Sequence, residues 1–143
     1  FRNGGAPLSI ALTVAALEWF QPNFSTAGKP LDLLAMLDWT NAMLARFESV
    51  FTVEDGTYSR LKIQLPVTPY GDLMERMSKS QMENFHERLQ ALRDALEAAE
   101  SENLPEDACM ILNKQFGDDF KVPEKAQTAK AVTAPVINTG SSA

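Results

Sequence analysis

The sequence predicts a mainly α fold: a helical domain with one β-hairpin, followed by a flexible C-terminal tail. Three observations predict it. Apolar residues recur at three-and-four spacing in several separate stretches, the pattern of helices that bury one face. Between Phe51 and Leu65 the period changes to two, on either side of Asp55-Gly56. From Lys121 onward aromatic residues stop, and Ala, Thr, Val, Lys and Pro take over. Residues 1–123 therefore form the expected domain and residues 124–143 the expected tail.

Pro7 suits the first turn of a helix that runs to about Phe20. Ile10, Val14, Leu17 and Trp19, with the alanines between them, make it apolar on nearly every side. Such a helix belongs in the centre of a body larger than one small bundle. A loop over Gln21-Pro-Asn23 follows, and Gly28-Lys-Pro30 leads into a second helix with Pro30 at its start. Its stripe is Leu33, Leu34, Leu37, Met43, Leu44 and Phe47, with Trp39 near one margin.

Phe51 and Val53 alternate before the Asp55-Gly56 turn, and Leu61, Ile63 and Leu65 after it. Pro66, Pro69 and Gly71 end that pattern, and Asp72 suits the cap of a short turn. Ser78 and Gln81 have capping-box spacing at the head of the longest helix. Met82, Phe85, Leu89, Leu92, Leu96 and Ala99 form its apolar line. Pro105 starts a final helix in which Ala108, Ile111, Leu112 and Phe116 share a face, and Gly117 falls at a left-handed C-cap position.

At 143 residues the chain is long enough for one domain with its own core. A formal charge of −6 argues against a surface that grips long nucleic acid through its phosphates, although a pocket for single nucleotides remains compatible. The single cysteine, Cys109, cannot form an internal disulfide and suits a reducing cytoplasm. The apolar stretch over residues 8–20 is too short to span a bilayer and carries Ser9, Thr13 and Glu18, so no membrane association is expected. Phe1 stands where an initiator methionine would, and the chain is read as a fragment whose catalytic motifs would lie upstream.

Chemistry-bearing motifs are sparse. Glu83-Asn-Phe-His86 has the spacing used in carboxylate-bridged metal sites, but those sites need the pair twice, and His86 is the one histidine present. A solvated or lightly packed histidine is the reading preferred. Cys109 sits among apolar residues with no base near it in sequence, which points to packing rather than nucleophilic catalysis. Asp118-Asp119 reads as a solvated turn, and Glu106-Asp107 as acids at the positive end of the last helix. Arg2-Asn-Gly-Gly-Ala-Pro-Leu-Ser9 alone has phosphate-binding character: a glycine pair frees backbone N–H groups ahead of a helix, and Ser9 adds a hydroxyl. An ordinary loop into a helix gives the same pattern.

The order of these elements resembles a known family. Pro7-Leu-Ser9 opens a buried helix, and a tryptophan-bearing second helix and the Asp55-Gly56 hairpin come next. Leu65-Pro-Val-Thr-Pro-Tyr-Gly-Asp-Leu73, a long helix and Phe116-Gly-Asp-Asp-Phe120 complete the series. Together they look like the C-terminal helical half of the bacterial cGAS/DncV-like nucleotidyltransferases, enzymes of the CBASS antiphage systems. The similarity covers about residues 1–123.

The family's catalytic core carries a Gly-Ser pair and acidic magnesium ligands, and none of that block occurs in this sequence. The resemblance therefore implies the non-catalytic half of a cyclic oligonucleotide synthase working on ATP and possibly other nucleoside triphosphates. Mg2+ is expected in the intact enzyme, with none bound by this chain. Ser9 is the residue that would touch donor phosphates. The resemblance also implies a partner similar to fused ubiquitin-activating and ubiquitin-conjugating enzymes, which would join the C-terminal carboxylate of Ala143 to a target amine. Gly140, Ser141 and Ser142 would be the small residues that thread its channel, with Val136-Ile137 anchoring the strand. An unused disordered terminus is the other reading of the tail, and a stand-alone helical protein-interaction module the other reading of the domain.

Overall fold

The computed structural model describes Pro7, residues 9–117 and Val122. The sequence motifs at Arg2–Ala6, Asp118-Asp119, Phe120, Val136-Ile137, Gly140, Ser141, Ser142 and Ala143 lie outside the described residues. Four helices and one two-stranded antiparallel hairpin make up the fold, in the order α1 (Ser9–Trp19), α2 (Asp32–Leu44), β1 (Phe47–Thr52), β2 (Gly56–Leu61), α3 (Lys79–Ser101) and α4 (Pro105–Phe116). Among the described residues no helix is long and apolar enough to cross a membrane.

α3 is the longest element, and its start is fixed by side chains. The Gln81 backbone N–H donates to Ser78 Oγ, and the Ser78 N–H donates to Gln81 Oε1, the reciprocal box expected from the sequence. From that origin Met82, Phe85, Leu89, Leu96 and Ala99 fall on one buried line, with Leu92 half-buried between them. Burying each large side chain of this kind contributes about 1.5–3 kcal/mol.

The core divides along that line. The first half of α3 joins Met43, Tyr58, Leu61, Ile63 and Met74 in the larger cluster, which also takes Ala11, Val14 and Ala15 from α1. The second half meets Leu112 of α4, with Leu33, Met36 and Leu37 of α2 packed against it. α2 thus serves both clusters, sending Met43 to one and its N-terminal leucines to the other.

α1 reaches the body through α2. Small Ala11 and Ala15 let the two helices approach closely, and Trp39 Nε1–H donates to the Ala15 carbonyl at 3.2 Å. Phe20 meets the Trp39 ring edge-on at 6.1 Å, and the Arg46 guanidinium stands 4.7 Å above the Trp19 ring. The connection to α2 is a closed loop. Ser25 N–H donates to the Lys29 carbonyl, Leu31 N–H to the Asn23 carbonyl, and Asn23 Nδ2 to the Asp38 carboxylate. These bonds place Pro30 opposite Phe24 in a β-bridge, so α2 begins at Asp32 and not at Pro30.

Two expectations for the hairpin need correction. Phe47 does not extend the α2 stripe; α2 ends at Leu44, and Phe47 opens β1 with its ring against Phe85 and His86. Phe51 stands on β1, but Val53, read as continuing the alternation, falls in the turn after Thr52; they are 72% and 95% exposed. α3 packs mainly on β2, and β1 joins that core through Phe47 and the half-buried Val50. The buried hairpin residues are Tyr58 and Leu61, continued by Ile63. Their register pairs Phe47 with Leu61 and Val50 with Tyr58. A three-residue turn closes the hairpin at Gly56, whose φ of 71° only glycine adopts without strain.

Beyond β2 the chain doubles back. Leu65 N–H donates to the Gly71 carbonyl and Leu73 N–H to the Ile63 carbonyl, around a cis Thr68–Pro69 bond. The Asp72 carboxylate caps the following turn, accepting from the N–H groups of Met74 and Ile63. Arg60 ties this turn to the hairpin: its guanidinium donates to the carbonyls of Met74 and Met77 and to the Tyr58 hydroxyl.

α4 starts at Pro105, as the sequence indicates, with Glu106 and Asp107 in its first turn and Lys114 in its last. Gly117 stops it with a φ of 79°, but a ψ of −166° takes the chain out extended instead of left-handed helical. The Gly117 N–H donates to the Asn113 carbonyl, and Asn113 Nδ2 donates back to the Gly117 carbonyl, which closes the end by a side chain.

Replacing Arg60 by Met keeps the stem but leaves two backbone carbonyls without their charged donor. Urea denaturation of R60M is expected to show a loss of about 2 kcal/mol, against about 1 kcal/mol for Trp39→Phe, which removes one neutral hydrogen bond. Equal stability of R60M and the parent chain would remove Arg60 from the role assigned to it.

Candidate functional site

α1 is the element whose sequence and surroundings disagree most. Its buried residues are Ala11, Val14 and Ala15, all toward α2. On the other side Ile10 is 49% exposed and Leu17 is 75% exposed. They lie seven residues apart, two helical turns, and so fall on one line. Thr13 between them is exposed as well, and Phe20 and Phe24, past the helix end, are 36% and 58% exposed. Scattered exposed leucines are common, and this pair on one helical line is a candidate contact surface. Glu18 is the only charged residue of α1.

Ser9 is the first residue of α1 and is exposed; its carbonyl accepts a hydrogen bond from Thr13 Oγ1 at 3.0 Å. A hydroxyl at that position stands beside the unsatisfied N–H groups of the first helical turn. The glycine pair that would complete an anion cradle lies outside the described residues. The row from Ile10 to Leu17 and the Ser9 end are therefore one surface with an apolar length and a polar head.

The other sequence candidates are dispersed. Glu83 and His86 line a polar recess on α3 with Tyr58, Ser59, Glu87 and Gln90. The His86 ring lies against Phe47, centroids 4.4 Å apart, which is the light packing expected of it. Among the described residues no group of three or more His, Cys, Asp or Glu side chains is disposed to hold a metal ion. Cys109 is a half-buried free thiol on α4.

Two features escaped the sequence reading. A second polar recess, of about 370 Å3, is lined by Glu48, Arg60, Lys62, Tyr70, Asp72 and Glu75, but Arg60 and Asp72 are committed to the backbone there. An apolar trough runs between α2 and α4, lined by Leu33, Met36, Leu96 and Leu112. Helical periodicity marks Leu33, Leu96 and Leu112 as core, passes over Met36, and does not show that α2 and α4 leave a gap. No protein-family model, curated protein or solved structure matches this chain.

Proposed function

We propose that this chain is the non-catalytic helical half of a cyclic oligonucleotide synthase, and that the outer side of α1 is the surface that meets the catalytic half. The exposed row of Ile10 and Leu17 on a helix with apolar residues all round carries this reading. A second body over that row would bury it and would bring its nucleotide cleft to the Ser9 end of the helix. The intact enzyme would join ATP, alone or with other nucleoside triphosphates, into a cyclic second messenger of cytoplasmic antiviral defence. The magnesium ions would be held by the catalytic half.

The same row also fits a stand-alone helical interaction module that recruits a partner through α1. The full reading frame separates the two: a Gly-Ser and Asp-x-Asp block upstream belongs to the first reading, and a start codon immediately before Phe1 to the second.

Incubated with ATP, GTP and magnesium, this chain by itself is expected to give no cyclic product. In the intact enzyme, Leu17→Glu should abolish turnover while changing the stability of the isolated chain by no more than about 0.5 kcal/mol, because the side chain touches little of its own fold. Full activity in L17E would detach α1 from the catalytic half. Ser9→Ala should weaken triphosphate binding by about 0.5–1.5 kcal/mol, or more if the lost partner is charged; unchanged affinity returns Ser9 to a structural role.

The C-terminal tail would be the substrate of the ubiquitin-activating and ubiquitin-conjugating-like partner. The Ala143 carboxylate would attack the α-phosphate of ATP and release pyrophosphate. A partner thiol would then displace AMP to form a thioester, and a target amine would displace the thiol to form an amide. Mass spectrometry of the intact protein with ATP and the partner should find a thiol-sensitive adduct that is lost when Ala143 is deleted. An adduct that survives truncation after Pro123 overturns the tail's role.

A further inference from the structure

The trough between α2 and α4 is independent of α1, and none of its lining residues belongs to that helix. α2 and α4 each pack along α3 and make few contacts with one another. Leu96 of α3 therefore forms a floor, with Leu33 and Met36 as one wall and Leu112 as the other. Phe116, at the far end, has a further contact of its own and is not needed to define the trough. Its volume of about 340 Å3 is at the low end of the roughly 300–1,000 Å3 typical of ligand pockets.

Its chemistry does not suit a small polar ligand. Such sites carry several convergent polar groups that fix orientation, and the one polar residue lining this trough is Asp32, at its mouth. An open apolar channel between two helices suits the apolar side chains of an amphipathic segment. The rim gives that segment a charge. Past Asp32 and Leu33 the surface continues over Ala99 and Ala108 and is flanked by Glu100 and Glu102, with Lys29 the cation along it. Three carboxylates against one ammonium favour a basic segment.

We infer that this trough docks a short amphipathic segment of a partner protein, which inserts apolar side chains between α2 and α4 and sets basic residues against Asp32, Glu100 and Glu102. The segment lies along α3, and its charged flanks supply selectivity while its apolar anchors supply most of the binding.

Methyl NMR of the full chain tests it, with a short synthetic peptide that carries leucines on one helical face and lysines at both ends. Its twin has glutamates at the ends. The lysine-flanked peptide should shift the methyl resonances of Leu33, Met36 and Leu112. It should also bind at least about tenfold more tightly than the twin at low salt, an advantage that shrinks as salt screens the rim. The double variant Asp32→Asn, Glu100→Gln changes only exposed side chains and should bring the two peptides to equal affinity with the fold retained. Absence of shifts, equal binding to the parent chain, or shifts confined to Ile10 and Leu17 would overturn the proposal. So would trough resonances that depend on protein concentration, which would mean a second copy is the occupant. Trough shifts produced by truncating the chain after Gly117 would give the site to the chain's own C-terminal segment, with the same result.

Discussion

The apolar line of α3 is the constraint on which the other elements depend. At 1.5 Å per residue, the helix is about 34 Å long, long enough to present two separate packing sites. The Ser78–Gln81 box sets its first residue and thereby the side toward which Met82, Phe85 and Leu89 point. The hairpin accordingly packs where α3 begins, and α4 where it ends.

The remaining elements connect to α3 through intermediaries. α1 is held by Trp39 and the small residues of its inner side, so its place depends on α2. The turn after β2 is held by Arg60, which satisfies backbone carbonyls that lie outside any helix or strand. This division explains how a helix as apolar as α1 exposes so much of itself. α2 covers one side, and Ile10 and Leu17 on another are left exposed.

Elements governed by local periodicity and capping were legible in the sequence. Those governed by what lies behind an element were not. The line of α3, its capping box, the Pro105 start of α4 and the Asp72 cap all follow from short-range rules and stand in the structure as read. The spacing of Phe51 and Val53 also follows such a rule, but period two does not say where a strand ends, and the ladder stops at Thr52 with Val53 in the turn. Phe47 continued the α2 spacing by coincidence, and its ring is claimed by Phe85 and His86. Pro30 was displaced by backbone bonding within its own loop. Of the site, the apolar excess of α1 was visible beforehand, whereas the side left open depended on where α2 came to lie.

The division of the core also sets how the molecule opens. Leu112 is the one buried side chain of α4, and it packs with Leu96 and Ala99 of α3, in a cluster separate from that of Tyr58 and Ile63. Lifting α4 therefore uncovers the smaller cluster and leaves the larger one intact. Such an opening lies at the low end of the local unfolding free energies within a domain. The amides of α4 then exchange with solvent through a motion that the rest of the chain does not share. Any molecule seated between α2 and α4 binds the closed form alone and slows that exchange in proportion to its occupancy. α4 is in this sense a hinged wall whose closure a bound partner would hold.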